Sequence, residues 1–540
     1  AIYTLSLVKE RIPDLDRMLA DLQQLFDIDE ASIDKFRQHL KRRKPYQSVP
    51  LKYRLGEDEI SRFAVNRYRL PGVEIEAQLV RHYPQSAAFT HVTGYVGRIN
   101  SDEQESLDAV NYAATDHIGK SGVEKYYENE LHGSVGSQYV ETNARGRVFR
   151  VLSSVDPQPG QDLVLHLDSA LQAHIQEIMG ERRGAVVAID PSTGGVLAMV
   201  STPSYDANPF VTGISSDDYA VLRDSIDLPL FNRALQGQYP PGSTIKPIFG
   251  LAGLHFGIVG ETSVVADPGW YQLPNDDRFY RDWKRGGHAA RINLYDSIVQ
   301  SCDVFFYDLA FKLGIDRIHE FSQQFGLGVA RSIDSTSERD GLLPSRDWKR
   351  ANKREPWFPG ETLNVGIGQG YMLTTPLQLA VAAAAMANRG ELPTPALVSR
   401  IGERELARST SRFTLSAQHW RYVVDAMVDV MHGRRGTAAA AGAGADYRMA
   451  GKTGTAQVIG IAQDAEYDRD AILERQRDHA LFIGFAPVEN PKVAVAVVVE
   501  NGGGGSTVAA PIGRAVFDWI MLHDNDTETA REEPVYASRP

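Results

Sequence analysis

The stretch Gly237-Gln238-Tyr239-Pro240-Pro241-Gly242-Ser243-Thr244-Ile245-Lys246-Pro247 limits what this chain can fold into more than any other. Pro240, Pro241 and Gly242 end whatever precedes them, and the apolar run 248–258 that follows fits a helix. Pro247 is tolerated only near a helix start, because its ring crowds the preceding turn and it has no N–H to donate. Ser243 therefore falls at or near the N-terminus of a helix that runs into the core, with Lys246 three residues on and on the same face. A hydroxyl and an amine held together at the positive end of a helix are suited to act as nucleophile and base.

S-x-x-K alone specifies little. Ser6 and Lys9 share the spacing inside the alternating stretch Tyr3-Thr4-Leu5-Ser6-Leu7-Val8, which reads as strand. Ser32 and Lys35 share it where Ser32 reads as a helix N-cap. The third copy differs because Ser301-Cys302-Asp303 and then Lys452-Thr453-Gly454-Thr455 follow it in order. Lys-Thr-Gly occurs once, where chance would supply roughly a tenth of a copy.

Composition sets the class. The 540 residues suffice for two to four domains, and 43% hydrophobic with 23% charged residues suits a globular chain with a substantial core. A net charge of −12 argues against a nucleic-acid partner, and the basic run Lys41-Arg42-Arg43-Lys44 reads as a solvated helix face. Cys302 is the single cysteine, so no disulfide can form within the chain. The longest apolar run, 377–387, is too short for a bilayer span and reads as a core helix. The chain opens on Ala1 with no visible signal peptide, so a processed leader or a truncated start is expected.

Along the chain, residues 1–155 mix alternating stretches with polar helices (14–25 and 32–40) and a strand at 73–80, and carry no catalytic constellation. Asp156-Pro157-Gln158-Pro159-Gly160 is a turn-rich junction. From 156 to 525 the pattern predicts a helix near 169–179, a hairpin from strands 184–190 and 195–200, the Ser243 helix, and a capped alanine-rich helix after Thr375-Pro376-Leu377-Gln378. The Lys452 strand, two apolar strands at 479–485 and 492–499, a flexible tetraglycine at 502–505 and a closing helix at 508–522 complete it. Gly366-Ile367-Gly368-Gln369-Gly370 lacks the spacing of a nucleotide loop and reads as a tight turn. Residues 526–540 form a polar tail. Strands from both ends of the second region, with helices between, predict an α+β domain whose sheet is built from distant segments.

S-x-x-K, S-D-N and K-T-G together mark penicillin-binding proteins and class A β-lactamases. With Asp267-Pro268-Gly269-Trp270-Tyr271-Gln272-Leu273-Pro274 and Asp303-Val304-Phe305-Phe306-Tyr307, the chain resembles the class B penicillin-binding proteins, above all the penicillin-binding protein 2 branch of rod-shape elongation. The resemblance is strong over 155–525. It implies a penicillin-binding/β-lactamase-like transpeptidase domain, an antiparallel sheet with helices, preceded by an elongated mixed pedestal or dimerisation-type domain. It also implies one N-terminal membrane anchor absent from this chain, placing this portion in the periplasm at the bacterial inner membrane. Implied partners are peptidoglycan stem peptides, β-lactam antibiotics, a RodA-type glycosyltransferase and MreC.

The implied reaction is acyl transfer. Ser243 attacks the carbonyl between the last two D-alanines of a stem peptide, and an amine from a neighbouring stem resolves the acyl-enzyme. Lys246 takes the serine proton if it is neutral, a form that burial and Lys452 favour. Ser301 bridges the lysines and relays a proton to the leaving amine. Lys452, Thr453, Gly454 and Thr455 receive the substrate carboxylate, and the N–H groups of Ser243 and Thr455 form the oxyanion hole. Asp303 stands where the usual triplet has Asn: ionised, it would hold Lys246 protonated, so its role is either catalytic or limited to ordering its loop. Water in place of the acceptor amine would make the protein a D,D-carboxypeptidase or β-lactamase, and a silent active site would make it a scaffold.

Cys302 taken alone reads as a small buried hydrophobe. The resemblance implies instead a structural zinc site of Asp267, Asp282, His288 and Cys302, a four-ligand closed shell tying a polar, Gly-rich segment to the loop that carries Ser301.

Overall fold

The computed structural model describes residues 2–112, 115, 117–143, 148–459 and 472–530. The chain divides into two compact units: Ala1–Pro84 with Val96–Arg98 and Asn208–Ile214, and the remainder.

The first unit holds a three-stranded antiparallel sheet of β1 (Ile2–Val8), β2 (Ser48–Lys52) and β3 (Val73–Gln78) in the order β2-β1-β3. β1 is central and buried from Thr4 onward. The amphipathic helices Leu15–Leu25 and Glu30–Arg42 lay Leu19, Leu22, Ile33 and Phe36 over Leu5, Leu7 and Val49. The second helix starts earlier than its spacing predicts. Asp29 caps it by accepting from Ser32 N, so Ser32 lies in the first turn rather than at the cap. Both residue types cap well, but the carboxylate also complements the helix dipole. β3 ends at Gln78, short of residue 80, and Leu79 is exposed.

The second unit is built on a five-stranded sheet: β4 (Gly184–Ile189), β5 (Val196–Thr202), β6 (Ala450–Ala456), β7 (His479–Ala486) and β8 (Val493–Val499). The order is β5-β4-β8-β7-β6, with every neighbouring pair antiparallel. β8 reads Val-Ala-Val-Ala-Val-Val-Val and is buried throughout, as a β-branched run covered on both faces requires. Each fully buried Val, Ile or Phe contributes about 1.5–3 kcal/mol. Five helices frame the site: α1 (Lys246–His255), α2 (Asp303–Gln323), α3 (Pro376–Ala387), α4 (Ala417–His432) and α5 (Ala510–Ala530). α3 and α5 both pack on β7 and β8. α3 starts with the expected capping box, Thr375 and Gln378 around Pro376, and all its residues are buried. The architecture is the α+β arrangement expected of the sequence.

Two expectations change. The tetraglycine is not slack: a Cβ on Gly505 would lie 2.3 Å from Gly454 O and 2.4 Å from Leu481 O, so its backbone rests on β6 and β7. The closing helix runs to Ala530, so the first part of the expected tail is helical, while residues 531–540 lie outside the described residues.

Where β8 ends, Glu500 accepts from Arg233 Nε at 3.0 Å and from Tyr239 OH at 2.8 Å. This fastens the sheet to the loop that leads into Ser243, and Arg233 is almost wholly buried. Removing the carboxylate strands a guanidinium away from water. Glu500→Ala is expected to cost about 3 kcal/mol in urea unfolding followed by near-ultraviolet circular dichroism.

Candidate active site

Ser243 lies in a 3₁₀ turn, Gly242–Ile245, that passes straight into α1 with Pro247 in its first turn, as the prolines require. Gly242 has φ +53°, and a Cβ there would stand 2.6 Å from Thr455 O. Only glycine lets this turn lie on β6. From the other side, Gly242 N donates to Gly368 O at 2.9 Å, and a Cβ on Gly368 (φ +73°) would meet Gly242 O at 2.2 Å. The Gly366–Gly370 segment is thus the expected tight turn, and it forms a wall of the cleft. Gln369 Nε2 donates to Thr455 O at 3.1 Å. Sequence reasoning gave Gln369 no role, although the paired glycines around it were the available sign of close backbone approach.

β6 is the edge strand of its sheet, so it offers unpaired backbone groups to an extended peptide. On it Lys452 is fully buried, Thr453 nearly so, and Thr455 exposed. Gly454 is glycine because a Cβ would meet Thr244 Cγ2 at 2.8 Å and Pro241 O at 3.0 Å. Thr453 Oγ1 pairs with Thr437 Oγ1 at 2.8 Å. Thr437 is another neighbour that spacing did not single out.

Ser301 occupies an unusual backbone position. The helix Leu294–Val299 ends at Gln300, and Ser301 follows with φ +61°. Ser301 N donates to Ile298 O at 3.4 Å and Cys302 N to Ser297 O at 3.0 Å. This is a Schellman cap, whose left-handed residue is usually glycine. Here it is serine, and its hydroxyl is used: Ser301 Oγ is 3.3 Å from Lys246 Nζ and 2.9 Å from Lys452 Nζ. Cys302 then caps α2, its Sγ accepting from Phe305 N.

Lys246 and Lys452 are both fully buried, but they differ in electrostatics. Lys246 Nζ donates to Ser301 O at 2.8 Å and Asp303 Oδ1 at 2.6 Å, besides the Ser301 hydroxyl. All three ammonium hydrogens have acceptors, one of them a carboxylate. This geometry favours an ion pair with Asp303 over the free amine expected of a resting base. Among the described residues Lys452 has no carboxylate within bonding distance; burial first, and then the charge of Lys246, hold its amine well below the ordinary lysine range. Ser243 is only partly buried, whereas Lys246 and Lys452 are sealed from solvent.

Asp267, Asp282, His288 and Cys302 form a second cluster, with ligand atoms all within 4.8 Å of one another. That span and donor set match a shell at zinc bond lengths of about 2.0–2.3 Å. His288 Nε2 is buried without a hydrogen-bond partner. The side chains of Asp267 and Asp282 are wholly buried, and burial first, then the charge of Asp303, raises Asp282 above the usual carboxylate range. The donor set, the two sealed carboxylates and His288 Nδ1, which lies 3.1 Å from Asp267 Oδ2 and 3.7 Å from Asp282 Oδ2, fit a divalent cation. The cluster adjoins the catalytic one: Asp282 Oδ2 accepts from Asp303 N at 2.7 Å and Val304 N at 3.2 Å. Of the residues singled out from the sequence, Lys246, Ser301, Asp303 and Lys452 share hydrogen bonds, Ser243 lies in the turn that leads into Lys246, Thr453, Gly454 and Thr455 follow Lys452 on β6, and Asp267, Asp282, His288 and Cys302 make up the adjoining cluster.

The penicillin binding protein transpeptidase domain family matches residues 184–518, and the penicillin-binding protein dimerisation domain family matches residues 1–165. The peptidoglycan D,D-transpeptidase MrdA of Escherichia coli is 43% identical over 99% of this chain and 86% of its own length. The crystal structure of Pseudomonas aeruginosa PBP2 in complex with WCK 5153 is 50% identical, with a TM-score of 0.73, over 83% of this chain and 92% of that one. The complex of PBP2 with MreC from Helicobacter pylori aligns with a TM-score of 0.83 at 27% identity, over 97% of this chain and 94% of that one.

The state of Lys452 has a measurable consequence. Its amine stays neutral in the fold at pH values where the unfolded chain still binds a proton. Stability should therefore rise with pH from the depressed folded value up to the ordinary lysine range near 10.4. Lys452→Met is expected to flatten that rise, read as urea midpoints measured at successive pH values.

Proposed function

The chain belongs to the class B penicillin-binding proteins, and on that premise we propose that its serine D,D-transpeptidase activity cross-links peptidoglycan stem peptides during rod-shape elongation. The observation that carries the mechanism is the Ser301 hydroxyl bonded to both lysine amines behind the Ser243 turn. At rest Lys246 is an ammonium paired with Asp303. As Ser243 Oγ bonds to the carbonyl carbon, Lys246 passes one proton to Asp303 Oδ1 and takes the serine proton in its place. The developing oxyanion is held by the N–H groups of Ser243 and Thr455, each such donor being worth about a hundredfold to a thousandfold in rate. When the C–N bond breaks, the departing D-alanine amine takes a proton from Ser301 Oγ. Lys246 replaces that proton, and Asp303 returns its own to Lys246. The acceptor amine then attacks the ester by the reverse route and restores the serine. Lys452, Thr453 and Thr455 line the place for the donor carboxylate, so carboxylate binding accompanies protonation of Lys452.

We further propose a structural zinc ion held by Asp267, Asp282, His288 and Cys302. When bound, it supplies positive charge to two buried carboxylates and a thiolate. Asp282 meanwhile keeps its bonds to the first turn of α2, which ties the segment 267–288 to the loop bearing Ser301. Residues 1–155 are proposed as the docking domain, with MreC and a RodA-type glycosyltransferase as partners, and an anchor in the inner membrane with this portion in the periplasm. Among the described residues no helix is long and apolar enough to cross a membrane.

Intact-mass spectrometry with penicillin tests the activity. One adduct is expected on the wild type and none on Ser243→Ala, with an adduct lifetime of hours. Rapid release would favour the D,D-carboxypeptidase or β-lactamase reading, and absence of any adduct the scaffold. Elemental analysis tests the metal: one zinc per chain, lost in Cys302→Ala. Zinc-free wild-type protein would end that proposal.

A further inference from the structure

We propose that Trp283 is a positioning residue for the acyl transfer, pinning the strained Ser301 turn and the Asp303 carboxylate from the side opposite Lys246. The inference rests on the reading of Ser243, Lys246, Ser301 and Asp303 as the catalytic group.

Trp283 is 61% exposed, so burial of its ring does not account for its place. Both of its donors nevertheless point inward. Nε1–H donates to Ser301 O at 3.0 Å, and the backbone N–H donates to Asp303 Oδ2 at 3.2 Å. These two acceptor groups are the ones Lys246 uses, through Ser301 O at 2.8 Å and Asp303 Oδ1 at 2.6 Å. A carbonyl has two lone pairs and a carboxylate has room on each oxygen, so Trp283 fills what Lys246 leaves open.

Ser301 sits at φ +61°, where a residue with a side chain is strained. Such a conformation persists only when its surroundings over-determine it. The cap bonds hold the amides of Ser301 and Cys302. The Ser301 carbonyl is held by Lys246 and Trp283 alone among the described residues. During the reaction Lys246 exchanges protons, so its grip on that carbonyl varies, whereas the indole N–H does not titrate. Trp283 keeps Ser301 Oγ aimed between the two lysines while their charges change. The ring also meets His288 edge-on at 5.4 Å, which fixes the indole orientation from the neighbouring segment.

The test is stopped-flow acylation of the full chain by a fluorescent penicillin, separating the noncovalent dissociation constant from the acylation rate constant. Trp283→Phe keeps an aromatic ring and the backbone N–H but loses the indole donor. The expected result is an acylation rate constant lower by about tenfold, with the dissociation constant within about twofold, and with zinc content and thermal midpoint as in wild type. Replacing Trp283 by β-(3-benzothienyl)alanine, which exchanges only the N–H for sulfur, is expected to give the same loss. An unchanged rate constant in either variant overturns the inference. So does a loss matched by falling zinc content or melting temperature in both, since Trp283 would then only support the segment. Absence of acylation in the wild type would instead refute the assignment of Ser243, which separates the two failures.

Discussion

The active site turns on one carboxylate. Two lysines are buried to zero exposure within bonding reach of a single hydroxyl, and two ammonium ions cannot share such a place at tolerable cost. Asp303 resolves this asymmetrically. It pairs with Lys246 and leaves Lys452 to shed its proton, so identical side chains acquire different tasks. The position of Asp303 depends in turn on α2 starting at that residue. That start depends on Ser301 adopting a left-handed conformation, and on Asp282 and Cys302 accepting from the first amides of the helix. Proton chemistry and helix capping are thus one arrangement here.

The cleft itself is made largely of backbone. Gly242, Gly368, Gly454 and Gly505 each sit where a methyl group would collide with a neighbouring main chain or side chain. They bring the Ser243 turn, the Gly366–Gly370 turn and the turn at Gly505 that precedes α5 against one edge strand. Hydrogen bonds between such segments are set by chain geometry rather than by rotamers, which suits a site where donors must already be aimed at the charge that develops. The Glu500–Arg233–Tyr239 group serves the same end from behind, fixing the sheet to the loop that delivers Ser243.

Much of this was legible in the residues. Pro240, Pro241 and Pro247 force a helix to begin beside Ser243, and Thr375-Pro376-Leu377-Gln378 announces α3, because those signals are local. The ordered triplets singled out the side chains that the fold brings into one hydrogen-bonded group, Lys246, Ser301, Asp303 and Lys452, and the conflict between Asp303 and a neutral Lys246 was visible as chemistry. What spacing did not carry were partnerships across the fold: Trp283 with Ser301, Thr437 with Thr453, Gln369 with Thr455. Each joins residues that belong to different segments of the fold, so no periodicity within one element announces it. The tetraglycine misled for a related reason. Composition equates glycine with freedom, whereas at Gly505 the missing side chain is demanded by contact.

The catalytic and metal-type clusters are linked so closely that they cannot be treated as separate modules. Asp267 and Asp282 each fold the chain locally, accepting from Gly269 N and Lys284 N, so their carboxylates are oriented by the backbone itself. Asp282 then reaches forward to the amides of Asp303 and Val304, and Trp283 beside it reaches Ser301 and Asp303. Displacing Asp282 would therefore shift the helix start and the strained serine together. A cation in this cluster would act on catalysis through geometry alone, by holding one segment against the turn that presents a hydroxyl to two lysines. Among the described residues Cys302 alone belongs to the Asp267, Asp282, His288 and Cys302 cluster, caps α2 and ends the Schellman turn, so one side chain ties that cluster to the turn that presents Ser301.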